Sequence, residues 1–242
     1  MKNLVFLFLL FYSFYSPAQE KLLVFAGAGM KRTLEEIATS FERDSGIKIT
    51  FDFEGAGRLG NKILLGNTPD IFIPGSEKWA NILINKKIIN DYQKIAFHTP
   101  VIITRRSEKL KKLIKQISDL CTKEITIAIG DKQACAIGKI SEKIFKKAGI
   151  EINRLNIVSK GVTVNQLLLW VENGDVDASI VWQSDANTSE KVRIITLPEK
   201  YNSIAVIPVC YIKHSKAADK FMEFMSKTGK EIFKRSGFRI IK

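Results

Sequence analysis

The chain has 242 residues, of which 45% are hydrophobic and 26% charged, which is usual for a soluble globular protein with one large or two small domains. Its three cysteines have no close spacing, which excludes a fold that depends on a framework of disulfides. The formal net charge of +13 comes from bases spread along the chain with acids between them. This pattern favours attraction of small anions over binding of nucleic acid.

The first 18 residues have the features of a secretory signal peptide. Lys2 is followed by an unbroken apolar run over residues 4–12, and the small residues Ser16 and Ala18 stand where a signal peptidase cleaves. The run is short for the alternative, a membrane anchor. The sequence therefore predicts cleavage near Ala18 and a mature protein in the periplasm, or otherwise outside the cytoplasm.

A first series of elements alternates strand and helix. The stretch VFAGAGMKRTLEE, residues 24–36, predicts a strand, a glycine turn and a helix with a capping box from Thr33 to Glu36, and this helix should end at Gly46. There follow the strand IKITFDF, the turn and short helix GAGRLGNKILLG, the strand PDIFIPG and the helix SEKWANILINKK. The alternation predicts an α/β lobe with a mostly parallel sheet.

A second series begins with the strand TPVIITRR. An amphipathic helix is expected after Ser107, with an apolar face made of Leu110, Leu113, Ile114 and Ile117. The elements after it are the strand EITIAIG, a helix over residues 136–148 closed by Gly149, the helix TVNQLLLWVENG, and the strands DASIVW and IAVIPVCYI. Two helices end the chain, and the last is expected to begin with a capping box from Thr228 to Glu231.

The late strand and the terminal helices need a sheet to pack on, so we expect them to return to the first lobe. The predicted division is a discontinuous first lobe, residues 19–97 plus 200–242, and a continuous second lobe, residues 98–199. The chain should cross between the lobes near residues 96–99 and 197–204. In such a two-lobed α/β protein a ligand lies in the crevice at the carboxyl ends of the strands.

The glycine turn at residues 24–36 does not fit a dinucleotide fingerprint, because Arg32 stands where G-x-G-x-x-G requires its third glycine. It instead exposes backbone N–H groups at the positive start of a helix, which suits an oxyanion. Similar turns rich in small residues precede three more helices, at FEGAGRLG, GDKQACAIGK and KGVTVNQ. Taken alone, each turn fits an ordinary helix start better than an anion site, but four of them, two per lobe, favour an anion gripped between the lobes.

Several segments resemble the periplasmic molybdate-binding proteins of ABC transporters, a two-lobed class with the type II binding-protein fold. They are VFAGAGMKRTLEEIATSFERDSGIKITFDFEGAGRLGNKI, PDIFIPGSEKW, IGDKQACAIGKISEKIFKKAGI, GDVDASIVWQSDA and EIFKRSGF. The resemblance extends over essentially the whole mature chain. It implies a monomeric binding protein, not an enzyme, that uses no cofactor, captures molybdate or tungstate and delivers it to a membrane permease.

Carried over by position, the ligand-binding residues of that family fall on Gly29 and Ala56 in the first lobe and on Ile137, Val164 and Trp182 in the second. The resemblance implies that backbone N–H groups and hydroxyls hold the metal as its oxyanion, without a bound counter-charge. Here both first-lobe serines of the family are absent, so only backbone N–H groups can donate there. The usual tyrosine is replaced by Trp182, which offers an indole N–H.

Four neighbouring residues are further candidates for ligand contact: Ala28, Gly57, Arg58 and Cys135. Arg58 would supply a charge that the family normally lacks, but a solvent-facing helix arginine is an equal interpretation. Cys135 lies in a glycine-flanked turn that should face the cleft, although a small buried hydrophobe is the favoured interpretation. No nucleophile motif supports catalysis.

Other ligands stay open at this point. A sulfate-like oxyanion would suit the same backbone donors. A cation would need several oxygens, and Asp70 and Asp185 lie at strand ends near the proposed cleft, although helix capping is their commoner role. The isolated His98 and His214 indicate core or surface histidines rather than zinc ligands.

Overall fold

The structure is a computed structural model that describes residues 20–134 and 136–241. The predicted signal peptide and Cys135 lie outside the described residues. Within them, no helix is both long and apolar enough to cross a bilayer. The strands of this part of the chain form two sheets, one of six strands and one of five, which confirms the predicted α/β class.

The strands are β1 (Lys21–Gly27), β2 (Lys48–Glu54), β3 (Ile71–Ile73), β4 (Gln93–His98), β5 (Pro100–Arg105), β6 (Thr126–Gly130), β7 (Asn156–Gly161), β8 (Ala178–Trp182), β9 (Val192–Thr196), β10 (Ala205–Tyr211) and β11 (Arg239–Ile240). The first sheet has the order β11-β4-β10-β3-β1-β2. Strand β1 is parallel to β2 and β3, and β10 runs antiparallel between β3 and β4. Consequently β1 to β4 all point the same way.

The second sheet has the order β7-β6-β8-β5-β9 and draws only on residues 100–196. Strand β6 is parallel to β7 and β8, whereas β5 is antiparallel to β8 and β9. Each sheet therefore has a core of parallel strands, and their carboxyl ends define one edge of that sheet.

The α-helices are α1 (Lys31–Ser45), α2 (Ala56–Leu64), α3 (Glu77–Asn85), α4 (Glu108–Leu113), α5 (Ala136–Lys147), α6 (Val164–Asn173), α7 (Gln183–Ala186), α8 (Lys216–Phe224) and α9 (Lys230–Arg235). Helix α1 shows why they pack as they do, because Leu34, Ile37 and Phe41 recur on one face and are fully buried. The helix ends at Gly46, whose φ of 72° few other residues adopt, as the sequence predicts.

Each sheet has a hydrophobic core of its own. In the first, the rings of Phe41 in α1 and Phe221 in α8 meet edge to face with centroids 5.2 Å apart. In the second, Phe145 of α5 and Leu167 of α6 are fully buried against the strands. This packing holds the start of each helix in a fixed position relative to the end of the strand before it.

Both predicted capping boxes are wrong. Helix α1 begins at Lys31, directly after a 3-10 turn (Ala28–Met30), so Thr33 is buried inside the helix and does not cap it. At the other end of the chain, a π-helical turn (Met225–Gly229) joins α8 to α9, so Thr228 also lies within continuous helix. In both places a buried methionine belongs to the same helical segment, and packing overrides the local capping signal.

The helix predicted after Ser107 is present but ends before the last residues of its predicted apolar face. Helix α4 ends at Leu113, and Ile114 has extended backbone with φ −119° and ψ 106°. Ile114 and Ile117 are still buried, whereas Leu113 is exposed. The carboxylate of Asp119 accepts two backbone N–H groups of the intervening segment, which stabilises the turn that breaks the helix.

Candidate functional site

The carboxyl ends of strands β1 to β4 lie at the same side of the first sheet, which we call its carboxyl edge. Gly27 pairs with Glu54 at the ends of β1 and β2, so the turns that lead into α1 and α2 are neighbours. Strand β4, which points the same way, ends at His98 on this edge. The edge therefore carries two helix starts and a histidine.

The second sheet has a matching edge. Gly130 of β6 pairs with Gly161 of β7, and the chain then leads into α5 and α6 respectively. Trp182 ends the parallel neighbour β8 and pairs with Pro100, the first residue of β5. Because residues 98–100 run directly from β4 to β5, the two carboxyl edges meet at this crossing. The Thr99 carbonyl accepts the Gln183 N–H at 2.8 Å and ties the crossing to the second sheet.

A second crossing joins the sheets between β9 and β10. There the side chain of Asn202 is buried and its Nδ2 donates to the Pro100 carbonyl at 3.2 Å, while Lys147 Nζ donates to the Asn202 carbonyl at 2.6 Å. Asn202 thus links the two crossings to each other.

We expect the Asn202→Ala variant to lose about 1–3 kcal/mol of unfolding free energy, because it leaves a buried carbonyl without its partner. Denaturant titration of the unliganded protein measures this. Asn67→Ala is the matched control, since Asn67 also donates to a carbonyl, that of Lys62 at 3.0 Å, but is exposed. Equal losses in the two variants would contradict a linking role for Asn202.

The helix starts differ in how they are capped. Gly27 precedes the turn into α1 and Gly55 precedes α2, and neither start has a side-chain capping bond among the described residues. At α6, Thr163 accepts the Gln166 N–H at 3.2 Å and caps the helix. The first N–H groups of a helix have no partner within it, so the 3-10 turn that leads into α1 and the start of α2 retain donors for a ligand.

In the first half of the predicted site, Gly29 and Ala28 are exposed and Ala56 is half-buried. A Cβ added to Gly57 would come within 3.8 Å of the Trp79 ring. The Arg58 side chain is 82% exposed, and its Nε is 3.7 Å from Glu54 Oε2. Arg58 therefore matches the solvent-facing interpretation, and the other residues lie along the edge at the two uncapped helix starts.

In the second half, Ile137 is fully buried, Val164 is half-buried and Trp182 is 6% exposed. The Ile137 side chain belongs to the core, so this residue can offer a ligand only its backbone. Cys135 is outside the described residues. The candidate ligand residues of the first lobe thus lie at the carboxyl edge of the first sheet, and those of the second lobe lie at the carboxyl edge of the second sheet.

His98 connects these edges. Its ring stacks on that of Trp182, with centroids 3.7 Å apart and an interplanar angle of 19°. His98 is buried, and its Nε2 has no hydrogen-bond partner among the described residues. Burial lowers the pKa of His98 to about 3, against a smaller raising effect of the Gly75 backbone, so the ring is neutral at physiological pH. The sequence marked this residue only as an isolated histidine.

A cavity of about 300 Å³ opens beside the edge, between α1, α7 and the segment after α9. It is lined by Gly29, Met30, Arg32, Thr33, Glu36, Ser184, Asp185, Asn187, Thr188, Arg235, Ser236 and Phe238. Of the five residues carried over from the family, only Gly29 lines it. The cavity is large for a bare tetrahedral ion and lacks the α2, α5 and α6 starts, so the strand edge is the better candidate site.

Asp185 in this cavity is unusual. The residue as a whole is only partly buried, but its Oδ2 atom is enclosed and has no hydrogen-bond partner among the described residues. Burial raises the pKa of the Asp185 carboxyl to about 7. Asp70, the other acid considered from the sequence, accepts the Leu23 N–H at 2.8 Å and secures a strand. The described residues contain no group of three or more His, Cys, Asp or Glu side chains able to hold a metal ion.

The two cysteines within the described residues, Cys121 and Cys210, are free thiols. Burial raises the pKa of the Cys210 thiol to about 12, which makes it unreactive.

Two helix-flanked sheets whose carboxyl edges face each other across two chain crossings form the fold of type II periplasmic binding proteins. The family model described as bacterial extracellular solute-binding protein matches residues 22–239, and the chain belongs to this family of binding proteins. It is 31% identical, over 98% of both chains, to a putative binding protein of Haemophilus influenzae. It is 26% identical to the molybdate-binding protein ModA of Escherichia coli, over 91% of this chain and 89% of the relative.

Among solved structures, the substrate-binding domain of a putative molybdenum ABC transporter from Clostridium difficile superposes with a TM-score of 0.77 at 24% identity. The match covers 93% of this chain and 100% of the other and shows the shared fold. The predicted resemblance to periplasmic molybdate-binding proteins is confirmed by the Escherichia coli relative.

Proposed function

We propose that the protein captures a tetrahedral oxyanion, molybdate or tungstate, between two lobes outside the cytoplasm and delivers it to an ABC permease. The observation that carries this proposal is the meeting of the two carboxyl edges, where His98 of the first sheet stacks on Trp182 of the second and borders the uncapped turn at Gly29. The molybdate-binding relative supports the choice of ion. In this proposal the lobes divide as predicted from the sequence, except that His98, the last residue of β4, belongs with the first lobe.

An oxyanion suits this edge for physical reasons. Backbone N–H groups at a helix start form a ready site for negative charge, and they do so without a bound cation. The formal net charge of +13 attracts anions over a longer range. In this proposal, Gly29 and Ala56 donate from the first lobe, and Ile137, Val164 and Trp182 from the second.

A sulfate-like oxyanion is the second candidate. The absence of serines at Gly29 and Ala56 leaves backbone donors there, and such donors do not distinguish one dianion from another of equal charge. Selectivity then depends on the size of the closed cleft, and sulfate, being smaller than molybdate, should be held less well.

The test is calorimetric melting with molybdate, tungstate and sulfate. A ligand that binds only the folded protein, at a thousand times its dissociation constant, should stabilise it by about 4 kcal/mol. Molybdate or tungstate should raise the melting temperature more than sulfate at equal concentration. If neither raises it at millimolar concentration, the oxyanion assignment is wrong. Elemental analysis of protein purified from medium containing both metals would identify the ion.

The Gly29→Val variant should abolish this stabilisation while leaving the unliganded fold intact. A Cβ at Gly29 would have a single neighbour within 4 Å among the described residues, His98 Cε1 at 3.9 Å, so the free protein has room for it. A branched side chain would nevertheless crowd an anion at the α1 start. Gly29→Ala is the graded control and should retain part of the shift. Full binding by the valine variant would remove Gly29 from the site.

A further inference from the structure

The contact between His98 and Trp182 joins the two sheets at the place where the proposed ligand lies. His98 is the last residue of β4 in the first sheet, and Trp182 is the last residue of β8 in the second. Their rings are nearly parallel and 3.7 Å apart, and each residue is only 6% exposed. The Phe238 ring is a further aromatic neighbour of His98, with ring centroids 5.6 Å apart.

The imidazole in this contact is neutral. Burial lowers the pKa of the imidazole to about 3, so the ring is uncharged at neutral pH and brings no positive charge to an anion. Stacked aromatic pairs hold each other in a defined orientation and contribute beyond the area they bury. His98 is therefore suited to fixing the Trp182 indole rather than to neutralising a ligand.

The same ring also faces the α1 start. A Cβ at Gly29 would lie 3.9 Å from His98 Cε1, the carbon between the two ring nitrogens. The His98 side chain thus stacks on one proposed ligand donor, Trp182, and borders another, Gly29, in the other half. The imidazole therefore constrains where the Trp182 indole lies relative to the α1 start.

We propose that His98 is a positioning residue for the bound oxyanion, holding the Trp182 indole N–H at the cleft and setting its spacing from the α1 start. This inference rests on the proposed function, because it takes Trp182 to be a ligand donor. The side chain acts through its stacked ring, and a ring of similar shape should replace it.

The test compares His98→Leu with His98→Phe by isothermal titration with molybdate, tungstate and sulfate. Leucine removes the stacked ring and should weaken binding of the preferred ion about tenfold, whereas phenylalanine keeps the ring and should bind within about twofold of the wild type. Phe238→Leu is the control, since it alters the neighbour of His98 but leaves the stack on Trp182. Near-ultraviolet circular dichroism of the unliganded variants reports whether the indole remains fixed.

Each outcome is decisive. If His98→Leu binds like the wild type, the positioning role is wrong and the oxyanion assignment stands. If His98→Phe is as weak as His98→Leu, a ring nitrogen contacts the ligand directly, which also overturns the positioning role. If the wild type binds none of the three ions, the proposed function fails and this inference fails with it. Should His98→Leu not fold, Trp182→Phe decides, because it keeps stacked rings without an N–H, and unchanged affinity would overturn the proposal.

Discussion

The Asp185→Asn variant should be more stable than the wild type above pH 7, by up to about 4 kcal/mol at about 1.4 kcal/mol per pKa unit. Burial raises the pKa of Asp185 from 3.8 to about 7. Between these values the folded protein keeps a proton that the unfolded chain has released, so this group lowers stability as pH rises. An amide resembles the protonated acid and cannot ionise, so the variant escapes the loss.

Denaturant titrations from pH 4 to pH 8 measure this effect. The wild type and the variant should agree near pH 4 and diverge as the pH approaches 8. Asp175→Asn is the matched control, because Asp175 is exposed and its substitution should leave the profile unchanged. Arg32, Glu36 and Arg235 line the same cavity, and parallel profiles for the Asp185 variant and the wild type would show that these charges compensate the buried carboxylate.

The Gly138→Ala variant should lose about 1–3 kcal/mol of unfolding free energy and bind the oxyanion more weakly. A Cβ at Gly138 would lie 2.3 Å from the Gly130 carbonyl oxygen and 2.8 Å from the Asp131 carbonyl carbon. These are backbone atoms at the end of β6, so α5 must move away from the strand. That movement displaces the α5 start, which includes Ile137.

Chemical denaturation and ligand titration on the same preparation separate the two effects. Gly55→Ala is the control for stability, because a Cβ there would have open space and its φ is −64°. The Gly55→Ala variant should therefore have nearly the same unfolding free energy as the wild type. A Gly138 variant with normal stability and normal affinity would mean that α5 does not depend on its close approach to β6.

Much of the fold could be predicted from local patterns. The helix face of α1 and its end at Gly46 follow from residue spacing and from the backbone freedom of glycine. Strands β4, β7 and β9 could not be found in this way. Strand β7 reads NIVSKG, in which polar residues interrupt the apolar ones, and it becomes a strand because β6 pairs with it.

The site could be predicted less fully than the fold. The glycine turns were identified from the sequence because backbone exposure depends on local residues. The roles of His98 and Asp185 depend on burial created by distant segments, which no local pattern records. His98 meets Trp182 across 84 positions of chain, and Asp185 is enclosed together with α1 residues and with Phe238.

The chain segments that supply the strands of each sheet determine the order in which the two sheets can form during synthesis. The second sheet uses one continuous stretch, residues 100–196, and all its strands are available before the last part of the chain emerges. The first sheet places β10 between β3 and β4 and adds β11 beside β4, so it waits for residues 205–240. Pairings between distant segments form late. Synthesis that stops short of the C-terminus therefore leaves a complete second sheet beside a first sheet whose central position is vacant.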